Sequence, residues 1–100
     1  MKNVLFICSG GMSSAIVEKS LNTEAAKQGV EIHSQAVGTG QAEDAMASGQ
    51  WDIVLVAPQV KHRYAGLEAA AQKNNLPIAL IQPRDYSPLG GPNLLKLVTG

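Results

Sequence analysis

Short unbroken apolar runs alternate along the chain with stretches in which apolar residues return every third or fourth position. The first run, Asn3 to Cys8 (NVLFIC), reads as a strand buried on both faces. From Ser13 to Gln28 the rhythm becomes helical: Ile16, Val17, Leu21 and Ala25 recur on one side, and Gly29 supplies a stop. Val30 to Val37 predicts a second, less apolar strand, punctuated by Gly38-Thr39-Gly40. Ala42, Ala45, Met46 and Gly49 mark one face of a short helix. Asp52 to Ala57 (DIVLVA) is the clearest buried strand, closed by Pro58. Val60, Tyr64, Leu67 and Ala71 predict a third helix ending at Asn74-Asn75. Pro77 opens a fourth strand, Ile78 to Gln82, and PRDYSPLGGP (83–92) reads as loop. A last helix starts at Pro92 or Asn93, with Leu94, Leu95 and Val98 turned inward.

Strand and helix thus alternate four times with short connections. That order predicts one α/β domain over residues 1–100, a three-layer fold with a parallel sheet and helices on both faces. Right-handed crossovers favour the strand order 2-1-3-4. In that winding, ligands bind beyond the C-terminal strand ends, between strands 1 and 3. Two loops flank the expected crevice: Cys8 to Ser14, and Ala57-Pro58-Gln59-Val60.

Composition narrows the function. A chain of 100 residues, 45% hydrophobic, builds one modest core. Aromatics are only 4%, so Val, Ile, Leu and Ala must fill it. Lys plus Arg equals Asp plus Glu, eight of each, and no basic run exists. Nucleic acid is a poor partner for such a surface, because phosphate-backbone binding needs a positive face. No stretch approaches the roughly 18 apolar residues of a membrane span, so no direct membrane insertion is expected. The run Val4-Leu5-Phe6-Ile7 is too short for the core of a signal peptide. One cysteine forms no internal disulfide. A reducing, cytoplasmic location is therefore expected.

The single thiol is the candidate chemistry. FICSGGMSSA (6–15) places Cys8 at the end of a buried strand, in front of a glycine-rich turn and a helix start. Such a turn aims several backbone N–H groups one way, and Gly10 and Gly11 let an anion approach them. The helix adds its positive end. Ser9, Ser13 and Ser14 add hydroxyls, and Met12 completes the loop. The same field favours the thiolate, the reactive form of cysteine. The loop thus suggests a phosphorylatable cysteine with its phosphoryl oxygens held by backbone amides.

Other patterns fail. No Gly-Lys-Ser/Thr follows the glycines, so this is no Walker loop, and the spacing does not suit a dinucleotide fingerprint. His33, His62 and Cys8 lie too far apart for a metal-ligand pattern, and neither a metal nor another cofactor is expected. His33 reads as a structural or surface residue. His62, beside Lys61 and Arg63, reads as a solvated first turn close to the crevice, with contact to a phosphoryl donor as the other reading. Asp85 follows strand four where a phosphatase would carry its acid; the plainer reading is an Asx turn or helix cap. Trp51 and Tyr64 read as core or rim residues.

Two families put a nucleophilic cysteine on such a loop. Low-molecular-weight tyrosine phosphatases require Cys-x5-Arg-Ser/Thr, but the sixth residue after Cys8 is Ser14 and Ala15 follows. The fold resembles theirs; the arginine that would grip the phosphoryl group is missing. The chain resembles far more closely the enzyme IIB component of the phosphoenolpyruvate-dependent sugar phosphotransferase system, lactose/cellobiose/chitobiose family. The carrying segments are ICSGGMSSA (7–15), VLVAPQV (54–60), and PIALIQPRDY (77–86) through Gly90 to Leu95. Gly11 stands where many members have alanine, and Ser87-Pro88 replaces a commoner glycine.

The resemblance implies that Cys8 is the phosphocysteine, with residues 9–14 binding the phosphoryl group and Pro58 and Gln59 in the neighbouring loop. It implies a phosphohistidine donor, the IIA protein, and an acceptor sugar held by the membrane transporter IIC. The implied sugar is a β-linked disaccharide such as cellobiose, chitobiose or lactose. The implied location is the cytoplasm, with transient association at the inner face of the membrane. A phosphatase-like hydrolase and a non-catalytic anion-binding regulatory module remain open as alternatives.

Overall fold

The computed structural model describes residues 2–9, 13–87 and 89–99, and the side chains among them except those of 13 and 14. Four parallel strands form one sheet: β1 (Lys2–Cys8), β2 (Ile32–Gly38), β3 (Ile53–Val56) and β4 (Ile78–Leu80). Their order is β2-β1-β3-β4, as the alternation of elements predicts. The helices are α1 (Ser13–Lys27), α2 (Ala42–Ala47), α3 (Tyr64–Lys73) and α4 (Gly91–Thr99). Short 3-10 turns cover Thr39–Gln41, Pro58–Arg63 and Pro83–Asp85.

Central β1 organises two cores. Val4, Leu5, Phe6 and Ile7 are all at most 1% exposed, so both faces of the strand are covered. Strand alternation divides them. Val4 and Phe6 pack with Ile53, Leu55 and the α1 and α4 residues Val17, Leu21, Leu94 and Val98. Leu5 and Ile7 pack with Val54, Val56 and the α2 and α3 residues Met46, Leu67 and Ala71. This explains why the two central strands read as continuous apolar runs, whereas β2, on an edge, alternates.

Two helix ends show why the predicted stops work. Gly29 adopts φ +72°, Val30 N–H bonds Ala25 C=O at 2.8 Å, and Gly29 N–H bonds Ala26 C=O at 3.3 Å. Asn75 repeats the motif after α3, with φ +57° and Leu76 N–H bonding Ala71 C=O at 2.8 Å. Both satisfy the last helical carbonyls through one left-handed residue. Asn serves where Gly would, because its short polar side chain tolerates that region.

Several elements depart from expectation. Ile16 is 54% exposed, although it recurs with Val17, Leu21 and Ala25. The buried stripe runs through 17, 21 and 25, and Ile16 lies one residue, about 100°, round the helix from it. The predicted third helix divides. Val60 is buried, but φ −115° breaks its turn from α3, which begins only at Tyr64. β4 ends at Leu80, two residues before the predicted limit, and α4 begins at Gly91, one or two residues before the predicted start at Pro92 or Asn93.

The last loop is held from both ends. Asp85, expected in an Asx turn or cap, is a buried carboxylate that accepts Asn93 Nδ2 at 2.8 Å. Its loop thereby joins the first turn of α4. Gly90 packs so closely that an added Cβ would overlap the Asp85 backbone carbonyl, and Leu94 N–H bonds Gly90 C=O at 3.0 Å. We therefore expect Gly90→Ala to lower stability by about 1–3 kcal/mol through overpacking. Gly66 in α3 has nothing within 4 Å of a built Cβ, so Gly66→Ala should raise stability by about 0.4–1 kcal/mol. Urea unfolding of the two variants checks the opposite signs.

Candidate functional site

Parallel strands end at one pole, and the loops that leave them there meet in strand order. Cys8 is the last residue of β1 and pairs with Gly38, the last residue of β2. On its other side, Ala57 N–H bonds Ile7 C=O at 2.8 Å, which starts the Pro58–Arg63 turn beside the same strand end. Pro58 is half-buried and Gln59 exposed in that turn. The turn that carries Pro58 and Gln59 thus starts beside the end of β1, where the winding reverses between β1 and β3.

Cys8 is only 5% exposed and belongs to the core cluster that includes Val56, Ala57 and Val60. Its Sγ lies 3.7 Å from Val37 C=O, to which the thiol donates a weak hydrogen bond. Ser9 comes next, as an exposed bend. Gly10, Gly11 and Met12 lie outside the described residues. Ser13 and Ser14 open α1, whose first turn contains no acidic residue. Nothing acidic on that turn offsets the positive helix end on the Cys8 side.

The end of β2 is the neighbour that pattern reading did not assign. Val37 and Gly38 touch the thiol's strand directly. The Gly38-Thr39-Gly40 break was the available signal: it marks a turn at the sheet pole where β1 also ends.

The other candidates separate. His33 sits opposite Asn3 at the start of β2, far along the strand from Cys8, and stacks on Trp51 at 6.2 Å between ring centroids. It has no place at the site. His62 is exposed on the Pro58–Arg63 turn, at the Cys8 pole. Asp85 lies one loop further, with its carboxylate held by Asn93 and 3.9 Å from Arg84 Nε. Tyr64 donates to Ile78 C=O at 3.4 Å; burial, and then the Glu68 charge, push its phenol above the usual 10.0.

A parallel sheet in the order β2-β1-β3-β4, with a thiol where the winding reverses, defines the class: a doubly wound α/β domain. The chain belongs to the family described as PTS system, Lactose/Cellobiose specific IIB subunit, whose model matches residues 3–97. It is 29% identical over 84 residues to the lactose-specific EIICB component of the phosphotransferase system of Lactococcus lactis subsp. lactis. It is equally similar to the lactose-specific EIICB component of Streptococcus mutans. Each match covers 84% of this chain but only 14% of the relative.

Among solved structures, the lactose-specific IIB domain from Streptococcus pneumoniae superposes with a TM-score of 0.82 at 23% identity, covering 99% of this chain and 98% of that one. The cellobiose-specific IIB component from Borrelia burgdorferi gives 0.77 at 24% identity, covering 98% and 88%. These likenesses show the same fold. Among the described residues, no helix is long and apolar enough to cross a membrane.

The enclosure of Cys8 makes its reactivity a test of the site. Iodoacetamide should alkylate it more slowly in the folded protein than in denaturant, and a bulky maleimide should be hindered further. Inorganic phosphate should slow the folded reaction if the loop after Cys8 holds an anion. Equal rates in folded and unfolded protein would show that the thiol is not sheltered.

Proposed function

We propose that residues 1–100 form one IIB unit and that it carries a phosphoryl group on Cys8. The observation that carries this reading is the placement of the sole thiol. It ends β1, at the reversal of winding, five residues before a helix whose first turn lacks acids. Membership of the lactose/cellobiose IIB family supports a role in sugar phosphotransfer.

In the first step, Cys8 Sγ attacks the phosphorus of a phosphohistidine on a IIA protein. The S–P bond forms, the P–N bond breaks, and the thiol proton passes to the released imidazole nitrogen. In the second, a sugar hydroxyl held by IIC attacks the phosphorus. The O–P bond forms, the S–P bond breaks, and the hydroxyl proton returns to the sulfur. Backbone amides of residues 9–14 would stabilise the transferring group, with Ser9, Ser13 and Ser14 adding hydroxyls. The acceptor is a β-linked disaccharide such as cellobiose, chitobiose or lactose. The unit works in the cytoplasm, at the inner face of the membrane.

Two features support a carrier over a hydrolase. Position 14 is serine, so the planar grip of an arginine is missing. Asp85 is committed to Asn93, which leaves its carboxylate tied to α4 rather than free to move a proton.

Incubation with a phosphorylated IIA protein of the lactose/cellobiose class should add one phosphoryl group to the intact mass. Cys8→Ser should abolish that gain while preserving the fold. A serine variant labelled at the wild-type rate would overturn the assignment of Cys8. A wild-type protein that binds phosphate without gaining the label would be an anion-binding module instead.

A further inference from the structure

The charges around Cys8 are sorted. The loops at the C-terminal pole follow the strand order β2, β1, β3, β4. After β2 come Glu43 and Asp44, both exposed on the first turn of α2. After β1 comes Cys8. After β3 come Lys61, His62 and Arg63, three consecutive exposed residues. After β4 comes Arg84, whose side chain is 82% exposed. The pole therefore runs acidic, thiol, basic, with exposed Arg84 beyond, beside the buried Asp85. The chain has eight cationic and eight anionic residues, so this is segregation and not excess.

These groups are available to a partner. Among the described residues, the one ion pair joins Arg84 to Asp85, and it leaves Arg84 in solvent. Neighbouring strands lie about 4.8 Å apart, so a four-stranded sheet spreads its loops over roughly 14 Å. The Debye length at physiological salt is about 8 Å. The acidic and basic flanks are thus far enough apart to act separately on an approaching surface instead of cancelling.

We propose that this pole is a polarised docking face for the phosphoryl-donor protein. The matching face is basic where it meets α2 and acidic where it meets Lys61, Arg63 and Arg84, with its phosphoryl group between the two. The proposal rests on the reading of Cys8 as phosphoryl acceptor. The donor is favoured as occupant because it alone arrives bearing a dianion, which the basic flank attracts. After transfer that charge sits on Cys8, the partner has lost it, and the attraction that brought the two together falls. Opposite charges on the two flanks also penalise the inverted orientation, since like charges would then face each other. Glu43 and Asp44 additionally suit the positive end of α2, so their replacement needs a separate check of folding by circular dichroism.

The test is the affinity of an unphosphorylated lactose/cellobiose-class IIA protein, measured by calorimetry at low and high salt. Lys61→Glu/Arg63→Glu and Glu43→Lys/Asp44→Lys should each weaken binding about tenfold or more at low salt. The losses should shrink as salt rises. Lys73→Glu, exposed at the far end of α3, should leave affinity unchanged. Unchanged affinity in both double variants, or an equal loss for Lys73→Glu, would overturn the proposal. So would tighter binding by Glu43→Lys/Asp44→Lys, which would mean a uniformly acidic partner. Binding of the wild type to anionic vesicles but not to the IIA protein would assign the face to lipid and overturn it also. Charge-dependent binding without phosphoryl transfer would sink the phosphocarrier reading and leave the docking face standing.

Discussion

The structure depends on one strand being buried on both faces and hydrogen-bonded on both edges. β1 pairs with β2 on one side and β3 on the other, and its four central side chains are sealed from water. Burying each such side chain is worth about 1.5–3 kcal/mol. Their sum is comparable to the whole net stability of a small domain, about 5–15 kcal/mol. A strand held so firmly delivers its last residue to a fixed point, and that residue, next after Ile7, is the only cysteine in the chain. The same constraint places the neighbouring loops, because the Pro58–Arg63 turn begins from a bond to Ile7 and the end of β2 pairs with Cys8 itself.

Function then lives in loops around a rigid end. One contributes a thiol and a helix start, a second a proline-led turn with exposed cations, a third two carboxylates on a short helix. The fourth is closed on itself through Asp85, Asn93 and the tight packing of Gly90. Its carboxylate serves architecture. On the phosphocarrier reading proposed above, having few groups able to direct water at the bound phosphoryl group is an advantage.

The alternation of elements was legible because it follows from burial: runs for strands covered on both faces, threefold and fourfold spacing for helices packed on one. Strand order followed from chain handedness. Gly29 and Asn75 were legible because a left-handed residue is chemically marked. Ile16 was not, since a one-residue offset changes a helix face by about 100°, and only packing shows which stripe wins. The break at Val60 came from Pro58, which starts a tight turn that the apolar spacing conceals. Asp85 was hidden for a different reason. A carboxylate in a Pro- and Gly-rich segment looks solvated until its partner, eight residues on, is seen. The sorting of charge around Cys8 is invisible in a balanced composition and emerges only once the loops are placed in strand order.

The central claim is that the sulfur at the end of β1 bears the phosphoryl group. Phosphorus NMR of the protein after reaction with phosphorylated IIA tests it most directly, combined with carbon-13 labelling at the cysteine Cβ. The account predicts one phosphorus resonance of the sulfur-linked type and a shifted Cys8 Cβ signal, both lost on addition of IIC membranes and sugar. A nitrogen- or oxygen-linked resonance with an unmoved Cys8 Cβ would contradict it.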